Sequence, residues 1–268
     1  MTSVAPASAR VMKATLAREF LSYRINRFLH LHVGLMLAIG ALALLAPPQA
    51  AAAGTAWWVL NGVIYVASLS ALLFGLSSAQ AEADEFALLF SQPLKVSTWV
   101  AGKCAGLACV VAPSAALLVL PTLISAGGSP LLFGAAAAAA GVSVLLAWIG
   151  LALGFWIHDP VRGLISALVV WCVLLFGVDL ALILVGGAEW VQSNPGAWVA
   201  ALMLSPLDAY RVTLLFVVEQ AAFSGSDLGA LTLWWLENAA LWLAICLGMW
   251  CGGVALLAMA GAEHRRTR

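Results

Sequence analysis

The segment from residue 82 to residue 95 holds the densest group of carboxylates in the chain and reads EADEFALLFSQPLK. Its acids, which open a predicted short helix, are Glu82, Asp84 and Glu85. Acids suit the positive end of a helix dipole. Its large apolar residues, spaced i, i+3 and i+4 on one helix face, are Phe86, Leu89 and Phe90. Pro93 ends this helix. Since a merely solvated loop has no need of an apolar face, the pattern favours a helix that docks against a partner.

Asp179 is the one acid deep in a long apolar run, LLFGVDLALILVGG at 174–187. A carboxylate inside a bilayer costs about 3 kcal/mol on insertion scales unless it is paired, protonated or in contact with water. It is therefore a candidate for a functional group on a transport pathway. The alternatives are that Asp179 makes a structural hydrogen bond or that it lies nearer the outer interface. Downstream, Asp208 and Arg211 stand three residues apart, which favours a local ion pair at the start of a helix.

Several catalytic and metal-binding signatures are missing from the sequence. It contains no GxxxxGK[ST] phosphate loop and no HExxH, so we expect no ATP hydrolysis and no enzymatic activity from this chain alone. The five cysteines lie in apolar runs without a CxxC or Cys/His cluster, so we expect buried small side chains and no metal site. Twelve basic and twelve acidic residues balance, which gives no reason to expect nucleic acid as a partner.

The composition places the elements that carry these residues in a membrane. Hydrophobic residues make up 64% of the 268 residues and charged residues only 9%, whereas soluble domains carry about 25% charged residues. Six stretches reach the roughly 20 apolar residues that a spanning helix needs. They are residues 29–46, 57–79, 100–125, 131–157, 162–187 and 234–260. The predicted fold is an all-α integral membrane protein with six transmembrane helices and lipid as its surroundings.

The distribution of basic residues predicts the orientation. With the N-terminus inside, eleven Lys and Arg fall on the inner side and only Arg211 on the outer side. The positive-inside rule therefore puts both termini in the cytoplasm. The predicted divisions are a cytoplasmic amphipathic helix at 1–28, a transmembrane domain at 29–260 and a cytoplasmic tail at 261–268. Within the domain, 80–99 is a cytoplasmic connection and 188–233 an extracytoplasmic helical segment.

The stretch EADEFALLFSQPLKVSTWVAGK at 82–103 resembles the inner loop of ABC-2-type permeases. In that family an acidic patch precedes a Leu-Leu-Ser-x-Pro turn, a basic residue and a Gly-Lys that opens the third span. The matching residues are Leu88, Leu89, Ser91, Gln92, Pro93, Leu94, Gly102 and Lys103. The common Glu-x-Gly-Thr step is absent, because Asp84-Glu85-Phe86-Ala87 stands there.

A second stretch, LSPLDAYRVTLLF at 204–216, resembles a subgroup, the permeases of transporters that mature nitrous oxide reductase. These carry an Asp-Leu in the fifth span, as at Asp179, and an Asn-Pro-x-Asp-x-Tyr/Phe-Arg-Leu segment before the sixth. The matching residues are Pro206, Asp208, Tyr210 and Arg211, while Ser205 replaces the asparagine.

The resemblance implies an ABC-2 permease fold of the type V exporter kind in a bacterial inner membrane. It implies two permease copies, two ATP-binding subunits that hold ATP and Mg, and no cofactor on this chain. For the subgroup it adds maturation of copper centres, with a periplasmic β-helix protein and a copper chaperone as partners. The residues expected to couple the permease to the ATPase are Glu82, Asp84, Glu85, Phe86, Leu89, Phe90, Gln92, Pro93, Lys95 and Lys103.

Two alternatives stay open at this level. A general ABC-2 exporter of lipid, drug or peptide differs only in cargo. A channel or secondary transporter that needs no ATPase is a different class, but intramembrane charges are scarce and no inverted repeat is evident.

Overall fold

The computed structural model describes residues 7–45, 58–82, 86, 95–121, 124, 130–185, 187–189, 193, 195–218 and 230–267. Every regular element within those ranges is helical. In chain order the helices are α1 Ala7–Tyr23, α2 Arg27–Ala43, α3 Trp58–Gln80, α4 Val96–Ala116, α5 Pro130–Trp156, α6 Pro160–Val185, α7 Pro195–Leu204, α8 Pro206–Val218 and α9 Ala230–Arg266. The predicted all-α class is confirmed.

Five of these helices, α3, α4, α5, α6 and α9, are long and apolar enough to cross a membrane. They coincide with the last five predicted spans. The first prediction, 29–46, falls on α2, whose 17 residues are short for a span. A sixth span is found only if α1 and α2 are counted as one span, although the chain bends by 73° at their junction. Asn26 begins α2 by accepting a hydrogen bond from the Phe28 backbone at 2.9 Å.

The core of the bundle is the contact between α3 and α5, where small residues let two backbones meet. A Cβ at Gly75 would lie 1.9 Å from the Ala147 carbonyl oxygen, and a Cβ at Gly150 would lie 2.0 Å from that of Leu72. No side chain fits at either position. Small residues at a helix interface are typical of membrane bundles, where close van der Waals packing substitutes for a hydrophobic driving force.

The helix α3 departs from α-helical geometry between Gly62 and Ala67, where its turns are π-helical. A few residues further on, the Ser70 hydroxyl lies 2.7 Å from Nδ1 of His32, which joins α3 to α2. His32 is fully buried. Its ring therefore has a polar partner inside the bundle.

The helix α6 lies at the periphery. Only 6% of the apolar 18-residue stretch of α6 is buried within the chain, whereas 67% of the corresponding stretch of α3 is buried. Its outward face carries large apolar residues and Cys172. Cys172 and Cys109 are exposed, so the prediction that all five cysteines are buried is wrong for these two. Their helices present apolar surface outward, as a chain in lipid does.

Candidate functional site

A buried ionic cluster lies where the predicted coupling segment leaves α3. Lys103 of α4 is fully buried. Its Nζ lies 3.1 Å from Oε1 of Glu19 on α1 and 3.0 Å from Oε2 of Glu82. Arg18 adds a contact of 3.4 Å to Oε1 of Glu82. We call these four residues the Lys103 cluster; its two positive and two negative charges balance.

The local sequence explains why α1 can reach Lys103. Gly106 stands one turn further along α4, where a Cβ would lie 3.1 Å from the Glu19 Cβ. The small residue thus leaves room for the glutamate to approach along the α4 surface. Charges this deep in a protein are tolerated when each has an opposite partner with good geometry. Burial raises the pKa of Glu82, while the nearby Lys103 and Arg18 oppose that shift.

Aromatic contacts at Phe86 form a second attachment of the predicted coupling segment to the helical bundle. The Phe86 ring makes edge contacts with Trp99 of α4 at 5.6 Å and with Phe155 of α5 at 5.9 Å, measured between centroids. The guanidinium carbon of Arg265 lies 4.8 Å from the centre of the same ring. Both Glu82 and Phe86 are therefore held inside the helical bundle.

Arg265 also ties the end of α9 to the end of α5. Its Nε donates to the Phe155 carbonyl at 2.7 Å and its Nη2 donates to the Gly154 carbonyl at 2.6 Å. Carbonyls in the last turn of a helix lack partners within the helix, and a cation there also suits the dipole. Neither this role nor the role of Glu19 can be recognised in the sequence. A basic residue after the last span was visible, but nothing local indicated its target.

The structure corrects the predicted docking helix at Glu82 and Phe86. Glu82 is 5% exposed and Phe86 is 7% exposed, so the expectation that these side chains face a partner is wrong. Each finds its contacts on α4 instead. Lys95 is exposed and directly precedes α4. The other predicted coupling residues lie outside the described part of the chain: Asp84, Glu85, Leu89, Phe90, Gln92 and Pro93.

A second ionic contact lies at the opposite end of α3. Nη1 of Arg211 on α8 lies 3.2 Å from Oδ2 of Asp179 on α6, and both side chains are 40–49% exposed. The predicted ion pair between Asp208 and Arg211 is wrong, because the arginine turns to Asp179. Asp179 is therefore paired rather than alone in an apolar run.

The start of α8 explains the Ser-Pro-x-Asp sequence. Pro206 is the first helical residue, where a missing N–H costs nothing. The Ser205 hydroxyl accepts from the Asp208 backbone N–H at 3.5 Å, in the manner of an N-cap. Asp208 and Tyr210 are both buried. Burial raises the pKa of Asp208, partly offset by a hydrogen bond from Ser205.

The two sites lie at opposite ends of α3, about 30 Å apart at 1.5 Å per residue, which is about the thickness of a bilayer core. Within the described ranges, no group of three or more His, Cys, Asp or Glu side chains could hold a metal ion. These features define a multi-pass α-helical membrane protein.

A comparison with known proteins gives the family. The chain is 31% identical over 199 residues to the "Probable ABC transporter permease protein NosY" of Stutzerimonas stutzeri. The aligned region covers 69% of this chain and 70% of that protein. No family model matches. The chain belongs to the ABC transporter permeases and is NosY-like. It is thus a membrane subunit, and the family implies an ATP-binding subunit as its partner.

Proposed function

We propose that this chain is the permease of an ABC transporter that supports maturation of the copper centres of nitrous oxide reductase, and so serves denitrification. The observation that carries the permease mechanism is the 3.0 Å contact between Lys103 and Glu82. These residues stand on either side of the segment 83–102, which contains the predicted docking helix. A displacement of that segment is therefore passed directly to α3 and α4.

The Lys103 cluster extends the linkage to α1 through Glu19. Phe86 and Arg265 extend it to α5 and α9. In this proposal the cytoplasmic ATP-binding subunit binds and hydrolyses ATP with Mg, and its closure moves the docking helix. The helices then move together at the far side, where α6 and α8 are joined by Asp179 and Arg211. The permease itself binds no cofactor.

The proposed assembly contains two permease copies and two ATP-binding subunits in a bacterial inner membrane, with both permease termini in the cytoplasm. The peripheral helix α6 leaves a wide apolar surface for lipid or for the second copy. The fold is of the ABC-2, type V exporter kind. On the outer side a periplasmic β-helix protein and a copper chaperone would complete the pathway. The transporter exports a sulfur or copper species or drives the periplasmic partner.

A complementation experiment tests this role. A denitrifying strain that lacks its own maturation permease receives this chain together with the ATP-binding subunit that copurifies with it. Restored copper-centre absorbance in purified nitrous oxide reductase supports the proposal. A matched strain whose ATP-binding subunit lacks the phosphate-loop lysine should restore nothing.

The same strains separate the alternatives. An assembled, ATP-hydrolysing complex that leaves the reductase without copper contradicts the maturation role and favours a general exporter. Solute transport by the purified chain with no ATP-binding subunit present contradicts the ABC mechanism itself.

A further inference from the structure

A polar cavity of about 340 Å³ opens between α3, α6 and α8. It lies at the end of α3 opposite the Lys103 cluster. Its polar lining residues are Asn61, Tyr65, Asp179, Asp208 and Arg211. The sequence motifs singled out Asp179 and the start of α8 separately; the fold brings them to one cavity together with the first turns of α3.

The unusual member of this lining is Asp208. The residue is only 3% exposed, and its Oδ2 atom has no hydrogen-bond partner. The one arginine of the lining, Arg211, is bonded to Asp179 instead. A buried carboxylate oxygen without a donor is costly, and such atoms are rare in folded proteins. The Oδ2 atom of Asp208 therefore lacks a donor that a ligand could supply.

The charge and the walls of the cavity restrict that ligand. Two carboxylates stand against one guanidinium, so an anion is disfavoured and a cation is favoured. The lining offers two carboxylates and no histidine or cysteine, and the described residues contain no group of three or more such side chains that could hold a metal ion. Beside the polar residues, the cavity wall contains the aromatic rings of Tyr65 and Phe176 and four aliphatic side chains. Aromatic and aliphatic walls beside a carboxylate suit an organic cation.

We propose that this cavity binds the ammonium group of an organic amine, with the Asp208 carboxylate as its hydrogen-bond acceptor. The geometry of α3 supports a built site. Tyr65 lies in the π-helical stretch Gly62–Ala67, and single π-helical turns inside α-helices are frequent at functional sites. Ile64 and Tyr65 of this stretch line the same cavity as Asp208.

The ammonium group has two sources, a free amine or the headgroup of an aminolipid. Both are tested on the purified full chain without any ATP-binding subunit, so the result does not depend on the proposed role in copper-centre maturation. In detergent, the melting temperature is followed against ethanolamine and against ethylene glycol, its neutral match. Two nanodisc samples are compared, one of phosphatidylglycerol alone and one of phosphatidylglycerol mixed with phosphatidylethanolamine. Native mass spectrometry identifies the lipid that the protein retains in each.

We expect ethanolamine, but not ethylene glycol, to raise the melting temperature, or phosphatidylethanolamine to be retained selectively. Retention without an effect of ethanolamine identifies a lipid headgroup, and an effect of ethanolamine identifies a site open to free amines. No selectivity for the amine in either arm overturns the proposal.

Variants locate the binding. Asp208→Asn keeps the size of the side chain and removes its charge, and should weaken apparent affinity about tenfold or more, since bonds to charged groups are strong. Tyr65→Leu should weaken it about threefold through loss of the ring face, and it decides the matter if Asp208→Asn does not fold. Glu237→Gln, an exposed acid on α9 outside the cavity lining, is the control and should change nothing. Unchanged affinity in both cavity variants overturns the assignment to Asp208.

Discussion

Arg211 of α8 and Asp179 of α6 form an ion pair of 3.2 Å although 32 residues separate them. An exposed pair of this kind stabilises a fold by only about 0–1 kcal/mol. Its position is therefore more informative than its strength. It joins the most peripheral spanning helix to α8, at the end of the bundle opposite the Lys103 cluster.

Asp179 should matter to the transport cycle more than to folding. We expect Asp179→Asn and Asp179→Leu both to insert and assemble, yet to fail in the copper-centre pathway, because each loses the charge that Arg211 binds. Assembled complex is measured by size-exclusion chromatography and pathway activity by reductase absorbance. The exchange Asp179→Arg with Arg211→Asp should recover part of the activity. Full activity with Asp179→Asn would show that the charge has no role.

Lys103 should be essential for stability. Lys103→Met leaves Glu19 buried without a cation and Glu82 with Arg18 alone, and breaking a buried pair in this way costs about 3–5 kcal/mol. We expect a large loss of folded, monodisperse protein and a lower melting temperature. Adding Glu19→Gln and Glu82→Gln to Lys103→Met should recover much of the loss. Lys95→Met, at an exposed position, is the control; an equal loss there would contradict the assignment.

The acids of the docking helix should divide into two groups. Glu82→Lys puts a third cation into the Lys103 cluster, so it should lower the amount of folded protein. The double change Asp84→Lys with Glu85→Lys should keep the fold and weaken association with the ATP-binding subunit in a pull-down, by at least about fivefold, through charge reversal. Glu189→Lys, exposed on the other side of the membrane in the proposed topology, serves as control. Undiminished association of the double variant would contradict the docking role.

The α3–α5 contact should not accept a methyl group. Gly75→Ala places a Cβ against the Ala147 carbonyl, so the helices must separate, and overpacking of this kind costs about 1–3 kcal/mol or more. The melting temperature of the purified chain checks this. Gly248→Ala, which meets nothing within 4 Å, should leave it unchanged or raise it slightly. Equal behaviour of the two alanine variants would mean that the contact is loose.

The membrane topology is tested by cysteine labelling in whole cells. In a chain without its native cysteines, single cysteines at Ser91 and Arg268 should be protected from an impermeant reagent, and those at Ser193 and Ser226 should react. The native residues must be removed because Cys109 and Cys172 are exposed. Labelling at Ser91 from outside would contradict both the orientation and the docking role.

The sequence by itself determined the helical class and the position of five spans. Hydropathy over about 20 residues is a local property, and lipid imposes helices on any chain that crosses it. The family could be recognised from two short motifs for a similar reason, since they lie in continuous stretches of sequence. The first span was less well defined, because α1 and α2 share it across a 73° bend.

Only the tertiary structure decided which charges pair. Glu19 and Lys103 are 84 residues apart, and no periodicity links α1 to α4. Spacing along one helix favoured Arg211 with Asp208, but a long guanidinium side chain reaches the neighbouring helix as easily as its own. The choice between the two carboxylates depends on where α6 lies. Packing also decided that Glu82 and Phe86 face the bundle, because burial is a property of the assembled helices rather than of a segment.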